Sequence, residues 1–214
     1  MDTTTIDTAT VVDLFLLLLI GIGPKIALLP YLEATAGLDA ADKRQIVRTM
    51  LTTAAVVALI LVVFGELLRR LLHFSTGALA IAGGILLLII AVTMVLGHGE
   101  AGVDHDADED PHRLAMFPLA IPYLLNPAGI VVLVTASAEA RTPGDLAIVL
   151  VPLAAVLVLD VVVLAAANRV SSHLDPARML VTEKVFGFLL AALGVQLILN
   201  GMSDVGVIHL TTSH

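Results

Sequence analysis

The chain of 214 residues contains no cysteine and no tryptophan, and only 14% of its residues are charged. Without cysteine there can be no disulfide, no thiolate metal site and no thiol chemistry. Without tryptophan the usual aromatic belts are weak, so the ends of membrane spans must be placed from charges. Soluble domains carry roughly a quarter charged residues, whereas this chain is 58% hydrophobic with a mean hydropathy of +1.02. The composition excludes a soluble domain and indicates a membrane protein.

Basic residues are missing from the N-terminal stretch, where residues 1–13 hold three aspartates but no lysine or arginine. A cleavable signal peptide needs a basic start, so we expect the first apolar run to stay in the membrane. Much of the net charge of −8 comes from one loop, Glu100–Asp110, and gives no reason to expect a nucleic-acid partner. No nucleophile–base set, phosphate loop or HExxH motif stands out. We therefore expect neither an enzyme nor a bound cofactor.

Six apolar runs are long enough to cross a bilayer, since a spanning helix needs about 20 apolar residues. The predicted spans are Thr10–Leu32, Ile46–Leu68, Thr76–Leu96, Leu114–Ser137, Leu146–Ala167 and Val185–Met202. Asp39 is a predicted N-cap for the second helix. Gly83 and Gly84 in the third run favour close helix approach. The sequence therefore predicts an all-α membrane protein with six transmembrane helices.

The first and fourth spans each contain a helix break. The first break is Gly21–Lys25, with the sequence Gly-Ile-Gly-Pro-Lys. The second is Leu125–Gly129, with the sequence Leu-Asn-Pro-Ala-Gly, and it follows Pro118 and Pro122. A break at membrane depth survives only where the freed backbone groups face protein or a water-filled cavity. Two breaks in corresponding places of two halves indicate a transport site.

A shift of 103 residues superimposes Pro24 on Pro127 and Gly84 on Gly187. Because each half would hold three spans, an odd number, the second half must be inverted relative to the first. We predict two inverted three-helix repeats with a broken first helix in each. The predicted units are 1–97, an acidic linker with histidines at 98–112, and 113–214 with a short tail.

The distribution of basic residues predicts the orientation, because lysine and arginine favour the cytoplasmic side. With the N-terminus outside, the inside loops hold Lys43, Arg44, Arg48, Arg113, Arg169, Arg178 and Lys184, and the outside loops hold Arg69, Arg70 and Arg141. We therefore predict a multi-pass plasma (inner) membrane protein with both termini outside the cytoplasm.

Lys25 and Asp160 are charged residues inside predicted spans, where ionisable groups are costly and commonly functional. Lys25 either lines the cavity and holds a carboxylate, or snorkels to the membrane edge. Asp160 either binds a coupling proton or Na⁺, or bonds to backbone freed by Pro152 or a neighbouring break. We also consider a Lys25–Asp160 ion pair.

The breaks themselves supply the candidate substrate site. A half-helix N-terminus presents free N–H groups and a positive dipole end, which suit a carboxylate. Asn126 could contact an amino-acid backbone or only cap the half-helix. The predicted substrate-binding residues are Gly23, Pro24, Lys25, Asn126, Pro127 and Gly129.

Polar residues elsewhere receive other interpretations. The loop His98–His112 mixes histidine with acidic residues, a composition found in metal sites and also in solvated linkers. It has no fixed ligand spacing, so we predict no metal site there. Thr93, Gln196 and Asn200 are expected to form helix–helix hydrogen bonds.

The chain resembles the MarC family of integral membrane proteins over nearly its whole length. The resemblance rests on Gly23-Pro24 with Leu29–Thr35, on Phe117–Pro122, and most specifically on Glu183–Gly201. The family usually shows Asn-Pro in the first break and Gly-Pro-Gly in the second. This chain has Gly23-Pro24-Lys25 in the first and Asn126-Pro127-Ala128-Gly129 in the second, so it is a divergent member at the residues expected to touch substrate.

The resemblance implies a transporter, because the family includes members assigned to neutral amino acids. The first expectation is a small polar solute, a neutral amino acid above all, carried by alternating access at the paired breaks. One alternative is a divalent-metal carrier that uses Asp160 and the His/Asp loop. The other is a non-transporting membrane scaffold or assembly partner, in which the broken helices pack tightly. The expected partners are a small-molecule substrate, the lipid bilayer, a coupling proton or Na⁺, and further copies of the chain.

Overall fold

The computed structural model describes residues 8–96, 111–140, 142–170 and 176–208. All regular structure in these ranges is helical. The helices are α1 (Thr8–Ile22), α2 (Pro24–Ala34), α3 (Ala40–Leu72), α4 (Thr76–Leu96), α5 (Pro111–Leu114), α6 (Pro127–Glu139), α7 (Pro143–Val170) and α8 (Pro176–Asp204). Between α5 and α6 lies an irregular helical stretch, Ala115–Leu124, which we call the prolyl segment.

The described helices include five segments long and apolar enough to cross a membrane, with α1 and α2 together forming one of them. A sixth arises if the prolyl segment and α6, which meet at an angle of 69°, are counted as one bent span. The two predicted breaks therefore differ in degree. The first interrupts the helix at Gly23 alone, whereas the second turns the chain sharply.

Helix ends follow local sequence signals in most places. Asp39 is the N-cap of α3, as predicted, and one carboxylate oxygen accepts from the N–H groups of Ala41 and Asp42 at 2.8 Å. The predicted sixth span, Val185–Met202, agrees with the apolar part of α8, Lys184–Asp204, although the helix itself begins earlier, at Pro176. Proline suits the first helical position since its missing N–H would be unbonded there anyway.

Helices α4 and α8 pack antiparallel through small residues seven positions apart, which confirms the close approach expected at Gly84. A Cβ built on Gly84 would lie 2.5 Å from the carbonyl oxygen of Gly194. One on Gly201 would lie 2.5 Å from the carbonyl oxygen of Gly77, and one on Gly187 would lie 3.2 Å from that of Ala91. The two backbones therefore touch along their length, as small residues permit in membranes.

The main core gathers around α1, α3, α6 and α7. The inner face of α7 is one stripe at helical spacing, formed by Val149, Leu153, Val156, Asp160 and Leu164, all buried. Large aliphatic side chains on α3, α4, α7 and α8 point outward and are exposed. Such outward apolar faces meet lipid when the helices span a bilayer.

Candidate functional site

The two helix breaks lie in direct contact at the centre of the structure. A Cβ built on Gly21 would fall 2.3 Å from the Cα of Gly129, so only glycine fits at that crossing. The backbone N–H of Asn126 donates to the carbonyl oxygen of Gly21 at 2.9 Å. The junction thus joins two segments about a hundred residues apart in sequence. We call this contact, with its flanking residues, the break junction.

Asn126 holds the break junction with its side chain. Its Nδ2 donates to the carbonyl oxygen of Ile20 at 2.9 Å, which satisfies a carbonyl freed by the first break. Its Oδ1 accepts from the N–H groups of Ala128 at 2.9 Å and Gly129 at 3.2 Å, and so caps α6. The residue is almost fully buried. Of the two roles considered for Asn126, the structure shows the capping one.

The N-terminus of α2 differs from that of α6. Its N-cap is Gly23, in an extended conformation with φ −74° and ψ 158°, and no side chain among the described residues caps it. Pro24 occupies the first helical position and brings no N–H. The N–H groups of the first turn of α2 therefore lack the side-chain acceptor that Asn126 provides on α6. The half-buried Lys25 sits in this same turn.

Asp160 is completely buried in the inner stripe of α7, at 0% exposure. Neither carboxylate oxygen has a hydrogen-bond partner among the described residues. The Lys25–Asp160 ion pair is therefore not formed, and neither is the bond from Asp160 to freed backbone. A buried polar group without a partner is costly and needs an explanation. Its role in coupling stays a prediction.

The prolyl segment leads the chain into the second break. Phe117 and Ile121 are extended, with ψ of 127° and 122°, because a residue before proline is pushed out of the α region. The N–H of Leu125 then donates to the carbonyl oxygen of Ala120 at 2.8 Å. The chain then turns by 69° between the prolyl segment and α6, where Leu125 and Asn126 are extended.

Thr93, Gln196 and Asn200 bond within their own helices, contrary to expectation. Thr93 Oγ1 donates to the carbonyl oxygen of Ile90 at 2.7 Å, and Gln196 Nε2 donates to Asn200 Oδ1 at 2.8 Å. A threonine hydroxyl reaches the carbonyl oxygen three residues before it, and side chains four residues apart reach each other, so neither bond needs a second helix.

One interhelical polar contact had no signal in the sequence. Lys184 Nζ donates to the carbonyl oxygen of Met94, at the end of α4, at 3.1 Å. Gly21 was also missed as a contact residue, although a glycine three positions before Pro24 could have indicated it. The His/Asp loop falls outside the described residues up to Asp110, and the side chains of Pro111 and His112 are not described. No group of three or more metal-ligating side chains occurs in the part of the chain that is described.

These features define a class: a multi-pass, all-helical integral membrane protein centred on two helix breaks that meet inside the span region. The sequence profile of the MarC family of integral membrane proteins matches residues 8–205. The chain therefore belongs to the MarC family.

Individual relatives are distant but cover most of the chain. A UPF0056 membrane protein of Methanocaldococcus jannaschii is 32% identical over 70% of this chain and 74% of its own length. The UPF0056 membrane protein YvbG of Bacillus subtilis is 28% identical over 80% and 84%, respectively. The UPF0056 inner membrane protein MarC of Salmonella paratyphi A is 23% identical over 82% and 86%. No solved structure matches this chain.

Proposed function

We propose that this protein transports a small polar solute, a neutral amino acid as first choice, at the break junction. The observation that carries the proposal is the asymmetry of the two half-helices. The N-terminus of α6 is capped by Asn126, whereas that of α2 has no side-chain cap and carries Lys25. Irregular backbone at membrane depth is a feature of transporter sites.

The α2 terminus offers a site for the substrate carboxylate. The free N–H groups of its first turn and the positive end of the helix dipole attract an anion. Lys25 adds a formal positive charge in the same turn, beside Gly23 and Pro24. On the opposite side Pro127 and Gly129 shape the proposed site through their backbone, because Gly129 packs directly against Gly21 and leaves no space for a ligand between them. Asn126 contributes by holding both segments in place.

Alternating access requires two parts that move against each other, and we propose the two inverted repeats for that role. The contacts between α4 and α8 support this proposal. The shift of 103 residues relates Gly84 in the first half to Gly187 in the second, and Ala91 in the first half to Gly194 in the second. The Gly84–Gly194 contact therefore corresponds to the Ala91–Gly187 contact. An antiparallel pair related in this way is expected from a two-fold axis in the membrane plane.

The same proposal includes the coupling ion and the location. Asp160, buried without a partner, is the proposed binding group for a proton or Na⁺. Its position on α7 faces the core that contains the first break. The Salmonella relative is named an inner membrane protein, which supports an inner-membrane location for this chain. The excess of basic residues in alternate loops supports termini outside the cytoplasm.

The first experiment is a thermal-shift screen of purified protein against amino acids and divalent metals. A ligand at one hundred times its Kd stabilises the folded state by roughly 2.7 kcal/mol, which a melting curve resolves. We expect stabilisation by one or more neutral amino acids. Stabilisation by divalent metals alone would contradict the proposal and favour the metal carrier.

The second experiment uses an amino acid that stabilises the protein and measures its uptake into proteoliposomes that contain the Lys25→Gln or Asp160→Asn variant. Both should lose most of the uptake, Lys25→Gln through weaker substrate binding and Asp160→Asn through lost coupling. The matched control is Lys184→Gln, which changes a lysine bonded to the end of α4 and should retain uptake. Full uptake by Asp160→Asn would exclude a role for Asp160 in transport. If the wild type takes up none of the solutes that stabilise it, the scaffold alternative is favoured.

A further inference from the structure

A basic groove runs between the first turns of α3 and the second half of α7. Its volume is about 810 Å³, and Lys43, Arg44 and Arg48 line one wall. Val161 and Ala165 of α7 line the opposite wall, with Leu51 further along α3. We call this feature the α3–α7 groove. It lies apart from the break junction and takes no part in the function proposed above.

The three cations in the α3–α7 groove, Lys43, Arg44 and Arg48, have no acidic partner among the described residues. None of them forms an ion pair within 4 Å in the part of the chain that is described, where the ion pairs are those of Glu66. No carboxylate is among the lining residues of the groove. Asp39, the nearest acidic residue before α3, is engaged in capping that helix. The lining of the groove therefore carries three positive charges and no carboxylate.

The opposite end of the groove is apolar and reaches into the span. From Ala40 to Thr52 the groove follows α3 over about 18 Å, at 1.5 Å per residue. The sequence of α3 is charged up to Arg48 and, apart from threonines, apolar from Met50 to Gly65. The groove thus crosses the boundary between headgroup region and hydrocarbon, with charge at its aqueous end and aliphatic walls at its buried end.

We propose that the α3–α7 groove binds one anionic phospholipid. The phosphate group lies among Lys43, Arg44 and Arg48, and an acyl chain follows Leu51, Val161 and Ala165. Arginine binds phosphate oxygens with paired N–H donors, and basic pockets between transmembrane helices recognise anionic headgroups. A free phosphate would use the charged end alone and leave the aliphatic walls without a ligand.

The test compares melting temperatures of the purified, detergent-solubilised protein with added phosphatidylglycerol, phosphatidylcholine of the same acyl chains, and inorganic phosphate. We expect phosphatidylglycerol to stabilise the wild type more than either of the others. Arg44→Gln/Arg48→Gln should lose this difference, with apparent affinity for phosphatidylglycerol reduced at least tenfold. The matched control, Arg69→Gln/Arg70→Gln, removes the same charge from the other end of α3 and should still be stabilised more by phosphatidylglycerol than by the other two additives.

A second variant tests the apolar half of the groove while leaving every charge in place. Ala165→Phe fills the space beside Val161 and should also weaken phosphatidylglycerol binding, detected as fewer lipids retained in native mass spectrometry. An equal shift with inorganic phosphate would overturn the proposal in favour of a free-anion site. An undiminished phosphatidylglycerol effect in Arg44→Gln/Arg48→Gln, or in Ala165→Phe, would also overturn it.

Discussion

Asn126 shows how one side chain can serve two broken helices. An amide carries both donors and an acceptor, so it can cap α6 with Oδ1 while Nδ2 satisfies the carbonyl oxygen of Ile20. A carboxylate could do only the first of these, and a lysine neither. The sequence identified the residue and its use as a cap. It could not show which backbone group lay within reach, because Ile20 is 106 residues away.

Replacing Asn126 should therefore weaken the fold at two places. Asn126→Ala loses a helix cap and a buried hydrogen bond, together about 2 kcal/mol of unfolding free energy. The measurement is chemical denaturation in detergent, and Asn200→Ala, at an exposed amide on α8, is the control expected to change little. Asn126→Ser, which can still cap but cannot span the same distance to Ile20, should fall between. Equal stability of Asn126→Ala and wild type would contradict the bridging role.

The buried carboxyl group of Asp160 should lower the free energy of unfolding. Its carboxyl group is buried without a partner among the described residues, in a stripe otherwise made of valine and leucine. Asp160→Val should raise the unfolding free energy by about 1–3 kcal/mol, since it removes an unsatisfied polar group, while uptake is lost. Thermal melts check the first effect, with the exposed Asp204→Val as control. A destabilised Asp160→Val variant would mean that the carboxyl group has a bonding partner in the membrane.

At the scale of elements, the α4–α8 pair depends on the absence of side chains. Gly77, Gly84, Gly194 and Gly201 each leave room for a carbonyl oxygen of the facing helix. The sequence predicted close packing at Gly84 but not its partner. Glycine spacing shows that a helix has a small-residue face. It does not show which other helix carries the matching face.

A methyl group at Gly84 should force these helices apart. Its Cβ would lie 2.5 Å from a backbone oxygen that cannot rotate away, so Gly84→Ala should cost about 1–3 kcal/mol. Gly144→Ala is the matched control, because its Cβ would lie no closer than 3.5 Å to the atoms around it. The readout is the melting temperature of both variants in the same detergent. Equal melting temperatures would show that α4 and α8 are not in backbone contact.

The helix boundaries show where local signals suffice and where they do not. The start of α3 follows from Asp39, and α4 has the predicted bounds, since short-range capping and apolar length decide both. The predicted sixth span lies within the apolar part of α8, Lys184–Asp204, but the charged residues before it gave no sign that the helix already begins at Pro176. Charge places a segment in water but does not stop a helix. In the prolyl segment the prolines were recognised, but the 69° angle between this segment and α6 had no signal in the sequence.

At the scale of the whole molecule, the proposed orientation can be tested directly because the chain has no native cysteine. Single cysteines at Glu139, the exposed end of α6, and at Ala36, the exposed turn after α2, lie in loops assigned to opposite sides. We expect a membrane-impermeant maleimide to label Glu139→Cys in intact cells and Ala36→Cys only after permeabilisation. The reverse labelling pattern would invert the orientation and place the α3–α7 groove at the outer leaflet.

The sequence by itself determined that this is a helical membrane protein, where most of its spans lie, and that two of them are interrupted. These properties depend on composition and on contacts within a few residues, so the sequence alone predicts them. The tertiary structure decided that the two interruptions touch, that Asn126 bridges them, and that Lys25 and Asp160 do not pair. Those outcomes depend on distances between residues far apart in sequence, which only the packing of the helices sets.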